Sequence, residues 1–183
     1  MQPNGRDRYE GAVVKLDRGY PLVSLSDGRT IRCEHATSLV KRKSDRAVIG
    51  DHVEVHLPEG HEKGIIEAIY PRTTKFVRKD PTERALPQTL ASNFDLVLIA
   101  QPAEEVNFKR LERELVLAHE TGAAVAVVLT KADLVGEGTE VHETIDKVRS
   151  LVGHDAVFVV SQDDPASIEQ VGSFIAEGNK TAV

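Results

Sequence analysis

The chain has 183 residues, 23 Lys+Arg against 29 Asp+Glu, 40% hydrophobic and 4% aromatic residues, one Cys, one Met and no Trp. That length allows one ordinary domain or two small ones, and the composition excludes collagen, coiled-coil and low-complexity readings. A lone cysteine leaves no internal disulfide and no zinc-knuckle framework, and no apolar run approaches the ~20 residues that span a bilayer, so we expect a soluble cytoplasmic monomer without a leader or membrane contact.

Charge divides the sequence. Residues 1–90 hold 16 Lys+Arg and 13 Asp+Glu, whereas residues 91–183 hold 7 and 16. A mildly basic half joined to an acidic one permits an RNA contact carried by the first half alone.

In that first half, Glu10 to Asp17 is Val-rich, Gly19 marks a break, and Tyr20 to Leu25 alternates apolar with small polar residues. Asp27-Gly28 favours a positive-φ hairpin turn that returns Arg29 to Glu34 beside the preceding strand. A polar, basic stretch follows over His35 to Arg46. Two more strands are expected at Val53 to Leu57 and Gly64 to Tyr70. Five short strands without a helix-length amphipathic segment predict a small closed barrel of the OB type, since closure removes unprotected edges; an SH3-like barrel fits the same pattern. We place this barrel at 1–72. Periodicity is lost from Pro71 to about Ser92, and 73–92 is read as a linker.

Residues 93–183 alternate between buried strands and amphipathic helices. Strands are expected at Phe94 to Ala100, Ala123 to Leu129 and Ala156 to Val160, and helices at Phe108 to Glu120, Glu140 to Val152 and Pro165 to Glu177. The first helix places Phe108, Leu111, Leu115 and either Leu117 or Ala118 on one face, and Gly122 stops it. This β-α-β-α-β-α order predicts a doubly wound parallel sheet, which binds ligands beyond the carboxyl ends of its strands.

Two such ends carry polar residues. One is Thr130-Lys131-Ala132-Asp133 and the other is Ser161-Gln162. An Asp held there can accept two hydrogen bonds from a base edge with adjacent N–H donors, which guanine offers and adenine does not. A Lys stem can lie along the base, and a Ser-led loop can offer backbone N–H to the base carbonyl. The spacing fits equally well with Asp133 capping the following helix and Lys131 solvated.

Other clusters carry less. His52, His56 and His61 meet no metal-ligand spacing, so no metal site is expected. Cys33 reads as a small buried hydrophobe, and Glu112 and Glu114 as a solvated helix face. Lys41, Arg42, Lys43 and Arg46 form a basic cluster in a barrel loop, where OB barrels frequently contact oligonucleotides. No aromatic residue lies in that loop, so RNA contact is expected with backbone and shape more than with unstacked bases.

Taken together, Gly50-Asp51-Val53, the exit Ile69-Tyr70-Pro71-Arg72, Ala91-Ser92-Asn93-Phe94-Asp95 entering an apolar strand, then VLTKADL and VVSQ, resemble the RsgA (YjeQ/YloQ) family of circularly permuted, ribosome-small-subunit-dependent GTPases. The resemblance implies a guanine site of Thr130, Lys131, Asp133, Ser161 and Gln162, with Thr130 standing where the family's NKxD motif has Asn. It further implies GTP/GDP binding with Mg²⁺ in the intact protein, zinc only in a C-terminal domain beyond these residues, and small-subunit ribosomal RNA as partner through Lys41, Arg42, Lys43 and Arg46. No GxxxxGK(S/T) motif is present, and Gly178-Asn179-Lys180-Thr181 lacks its spacing. We therefore expect 93–183 to be a partial GTPase domain, with Thr181 to Val183 opening the strand toward the phosphate loop and catalysis silent in this chain. The rival expectation is a non-enzymatic RNA-binding barrel with a degenerate α/β domain.

Overall fold

Apolar alternation closes the first five strands into a barrel. In the computed structural model, which describes residues 8–41, 46–78, 88–135, 139–177 and 181–183, these are β1 (Arg8–Asp17), β2 (Tyr20–Leu25), β3 (Thr30–His35), β4 (His52–His56) and β5 (Gly64–Ile69). Their order is β1-β2-β3-β5-β4, closed by β4 pairing with β1. All pairings are antiparallel except β3 with β5. A bulge between Val13 and Lys15 lets the ten-residue β1 bend and serve both β2 and β4. Arg18 and Gly19 both take positive φ, 49° and 86°, the two-residue turn geometry that matches strand twist. Inward positions Val13, Val23, Leu25, Cys33, Val53, Val55 and Ile66 fill the interior with Ala47. Between β3 and β4 lies a short helix, α1 (Thr37–Lys41), within the stretch read as loop.

The stretch 73–92, read as a linker, carries β6 (Lys75–Arg78) and β7 (Gln88–Ser92), an antiparallel pair. Ala91 also bridges Ile49 in the parallel sense, and the chain divides into units Met1–Asn93 and Phe94–Val183. Holding this corner of the first unit is Asp51, 0% exposed. Its carboxylate accepts Val48 N–H at 2.8 Å, Arg72 Nε and Nη2 at 2.7 Å each, and Ser92 Oγ at 2.6 Å. Gly50 precedes it at φ 89°, where a Cβ would lie 1.9 Å from the Ser92 carbonyl oxygen, so only glycine fits. Asn93 takes φ 54° and ties Gly50 O to Thr73 N–H through its side-chain amide.

The second unit is a parallel sheet with helices. Its elements are β8 (Leu96–Pro102), α2 (Phe108–His119), β9 (Ala124–Thr130), a 3-10 turn at Ala132–Leu134, α3 (Thr139–Val152), β10 (Ala156–Val159) and α4 (Pro165–Ala176). The strand order is β10-β9-β8. Ala182 bridges Leu96 in the parallel sense on β8, so residues 181–183 extend the sheet beside the first strand of the unit. Val125 to Leu129 are buried consecutively, as in a strand covered on both faces. On α2 the inward row is Leu111, Leu115 and Ala118, with Leu117 43% exposed. No helix among the described residues is long and apolar enough to cross a membrane.

Candidate functional site

Parallel register brings the two polar strand ends together. Val159 pairs with Leu129, so Thr130-Lys131 and Val160-Ser161 leave the sheet at the same edge. Val160 N–H donates to Leu129 O at 2.8 Å, and Ala132 N–H returns to Val160 O at 3.1 Å. The reversal is made at Lys131, whose φ of 57° is left-handed. For a lysine this conformation costs about 1–2 kcal/mol, which the surrounding backbone bonds must offset.

The 3-10 turn then aims Asp133 back across the edge. Its Oδ1 accepts Ser161 Oγ–H and Gln162 N–H, each at 3.3 Å. Ser161 Oγ in turn accepts Asp163 N–H at 3.0 Å. Lys131 occupies the cap position of the 3-10 turn without a side-chain cap bond and is exposed. Of the five residues read as a guanine site, Asp133, Ser161 and Gln162 are joined by hydrogen bonds. Thr130 faces the other neighbour strand: its hydroxyl donates to Gln101 O at 3.3 Å.

Two buried residues beside this edge escaped sequence reading. Gln101, 4% exposed at the end of β8, accepts Asn107 N–H at 3.0 Å and donates to Glu114 at 3.1 Å. Glu114, expected as a solvated residue, is thus a bridge that also accepts Arg110 Nε at 2.7 Å. The signal for Gln101 was present, a polar amide ending an apolar run. Ser167 in α4 is 7% exposed, and its only sequence signal is its place three residues after Asp164-Pro165 opens a helix.

On the barrel, Arg46 is exposed and lends its carbonyl to Arg72 Nη2 at 3.1 Å. Arg42 and Lys43 lie outside the described residues; Lys41 ends α1. A second basic surface, missed in sequence, surrounds Tyr20, with Lys63 4.5 Å and Arg32 5.9 Å from its ring centre. Both cations already hold carboxylates, Glu34 and Asp17. Among the described residues no group of three or more His, Cys, Asp or Glu is placed to hold a metal ion.

Residues 69–183 match the family model described as RsgA GTPase. The chain belongs to the RsgA GTPase family. The small ribosomal subunit biogenesis GTPase RsgA of Streptomyces coelicolor is 33% identical over 171 residues, covering 92% of this chain and 45% of that protein. Its counterpart from Mannheimia succiniciproducens is 28% identical, covering 97% and 49%. The chain thus spans about half the length of these RsgA relatives. In fold it is similar to YjeQ from Thermotoga maritima, with TM-score 0.69, 20% identity, and coverage of 92% of this chain and 57% of that one. YloQ, described as a circularly permuted GTPase, gives 0.66 at 20% identity, covering 100% and 61%.

Proposed function

We propose that this chain supplies the guanine-recognition edge of an RsgA-type GTPase, together with an OB-type barrel that contacts small-subunit ribosomal RNA. The observation that carries the first part is the Asp133 carboxylate set against the Ser161–Gln162 loop across the ends of β9 and β10. A guanine whose N1–H and exocyclic amine face Asp133 places its carbonyl oxygen toward the loop N–H groups. Adenine inverts that pattern. Residues 181–183, lying parallel beside β8, support the permuted order. The barrel's strand order and exposed Arg46 support an RNA contact that is electrostatic in the main. GTP and GDP are the nucleotides the family implies; among the described residues no group of three or more His, Cys, Asp or Glu is placed to hold Mg²⁺ or zinc.

Nucleotide titration followed by amide NMR tests the base assignment. GDP should perturb Asp133, Ser161 and Gln162 where ADP at the same concentration does not. Hydrogen bonds to a charged group contribute about 1.5–3 kcal/mol each, so Asp133→Asn should weaken GDP binding by on the order of 10²-fold. It should also favour xanthosine diphosphate, whose C2 carbonyl accepts from the new amide. Equal perturbation by ADP, or unchanged GDP preference in Asp133→Asn, removes the assignment.

A further inference from the structure

Ser167 is a buried hydroxyl on α4, outside the five residues of the guanine site. Its Oγ accepts Ser161 N–H at 3.1 Å and donates its one proton to Asp164 O at 2.6 Å. Asp164 N–H reaches Ser161 O at 3.3 Å, and Ser167 N–H reaches Asp164 O at 3.1 Å. The four-residue loop is therefore closed against the first turn of α4.

That closure sorts the loop's N–H donors. Ser161 N–H is held by Ser167, Asp163 N–H by Ser161 Oγ, and Asp164 N–H by Ser161 O. Gln162 N–H is different: its contact, at 3.3 Å, is to the Asp133 side chain on another element, not to an acceptor within the loop or α4. It is the loop donor that an incoming base carbonyl can take over without breaking a bond inside that closure.

We propose that Ser167 is a positioning residue for guanine recognition, which fixes Ser161 N–H and thereby aims Gln162 N–H at the base carbonyl oxygen. This rests on the guanine reading above. Without the Ser167 hydroxyl, Ser161 N–H loses its acceptor and the loop can rotate that donor, or Gln162's, away from the base. The Asp133 carboxylate that meets N1–H and the exocyclic amine is placed by another element, the 3-10 turn, and the loop reaches it only through the two 3.3 Å contacts to Oδ1. Ser167 thus governs one edge of the base and Asp133 the other.

Three nucleotides separate these edges on the full 183-residue chain. GDP presents both. Inosine diphosphate lacks the exocyclic amine but keeps the carbonyl; 6-thio-GDP keeps the amine but replaces the carbonyl oxygen by sulfur, a weak acceptor. NMR titration should show GDP bound more tightly than either by wild type. In Ser167→Ala, GDP affinity should fall on the order of fivefold, the weight of one neutral hydrogen bond. The GDP to 6-thio-GDP ratio should fall toward one while the GDP to inosine diphosphate ratio holds. Ser167→Thr, which keeps the hydroxyl, should restore the first ratio, and Ser167→Cys should shift it in the same direction as Ala by less.

Equal weakening of all three nucleotides, or an unchanged GDP to 6-thio-GDP ratio in the Ala and Cys variants, overturns the role of Ser167 while leaving the guanine site standing. A wild-type chain that binds GDP and inosine diphosphate equally, with Asp133→Ala indifferent, overturns the guanine reading and this inference with it.

Discussion

Replacing Asp51 by Asn keeps its shape and removes its charge. The carboxylate is 0% exposed and takes two donors on each oxygen: Arg72 Nε and Ser92 Oγ on Oδ1, Val48 N–H and Arg72 Nη2 on Oδ2. An amide nitrogen in the Oδ2 place would face two N–H donors. In the Oδ1 place, Ser92 can rotate to accept, but Arg72 Nε still meets a donor. Either way a guanidinium loses its counter-ion and at least one hydrogen bond. Breaking a buried pair from one side costs about 3–5 kcal/mol. Arg72 keeps 21% side-chain exposure, so some water reaches it and the lower end, about 3 kcal/mol, applies. For a unit of 60–100 residues each kcal/mol lowers the melting midpoint by roughly 4–8 °C, giving a loss of about 12–24 °C. The assay is built in: the chain has no Trp, and its three Tyr, at 9, 20 and 70, all lie in the first unit, so tyrosine fluorescence reports that unit alone. Asp51→Leu with Arg72→Met should recover much of the loss, because no charge is then left buried. A midpoint for Asp51→Asn within about 3 °C of wild type would refute the cost assigned here to an unpaired buried charge.

Two further outcomes concern titratable groups in the barrel. His35 Nε2 accepts Ala47 N–H at 2.9 Å, so the ring is neutral there, and burial followed by the Arg46 charge lowers its pKa from 6.5. The unfolded chain then binds the proton first: His35 contributes stability above pH 6.5 that is lost as pH falls through the lower folded value. The tyrosine-detected midpoint should decline over that window, and His35→Gln, which still offers an acceptor, should remove this share of the slope; an identical slope in the variant would exclude His35 as its source. Cys33 is 0% exposed and burial pushes its thiol up to about 11. A disulfide reagent at pH 8 should label it only when the barrel opens, with a rate that denaturant increases; prompt labelling of native protein would contradict its burial.

Much of the architecture is legible because it rests on short-range pattern. Apolar residues alternating with polar ones mark β2 and β4, an Ile-rich run marks β5, and three-to-four spacing marks α2. What escaped is structure specified by partners. At five residues, α1 is too short to show a period. The segments KFVR and QTLAS become β6 and β7 by pairing with each other and, through Ala91, with Ile49, none of which is a local property. The site divides in the same way. Polar residues at the ends of apolar strands announce Asp133 and Ser161, yet the left-handed Lys131 that turns Asp133 toward a loop 28 residues away has no sequence mark. Ser167 is less visible still, since a serine in a first helical turn is ordinary until its hydroxyl is found holding another loop.

The resemblance noted in sequence rests partly on residues scattered from 50 to 93, and the barrel supplies their common cause. Gly50, Asp51, Arg72, Ser92 and Asn93 are separate marks along the chain but meet around one carboxylate. A fully buried Asp requires a cation and several donors; Arg72 supplies the first, and Val48 N–H and Ser92 Oγ complete the second. Strand β7 must then pass so close that residue 50 can carry no Cβ. Once Asp51 is buried, the other four identities follow as conditions on accommodating its charge, and none can change alone without leaving a donor, an acceptor or a steric overlap unresolved. Such a set behaves as one unit under substitution, with couplings that single variants will misstate. The Asp133, Ser161 and Ser167 group in the second unit shares that logic with one difference: the Gln162 N–H at its centre is bonded outside the loop and α4, to Asp133, and a ligand can claim that donor without breaking the loop's own closure.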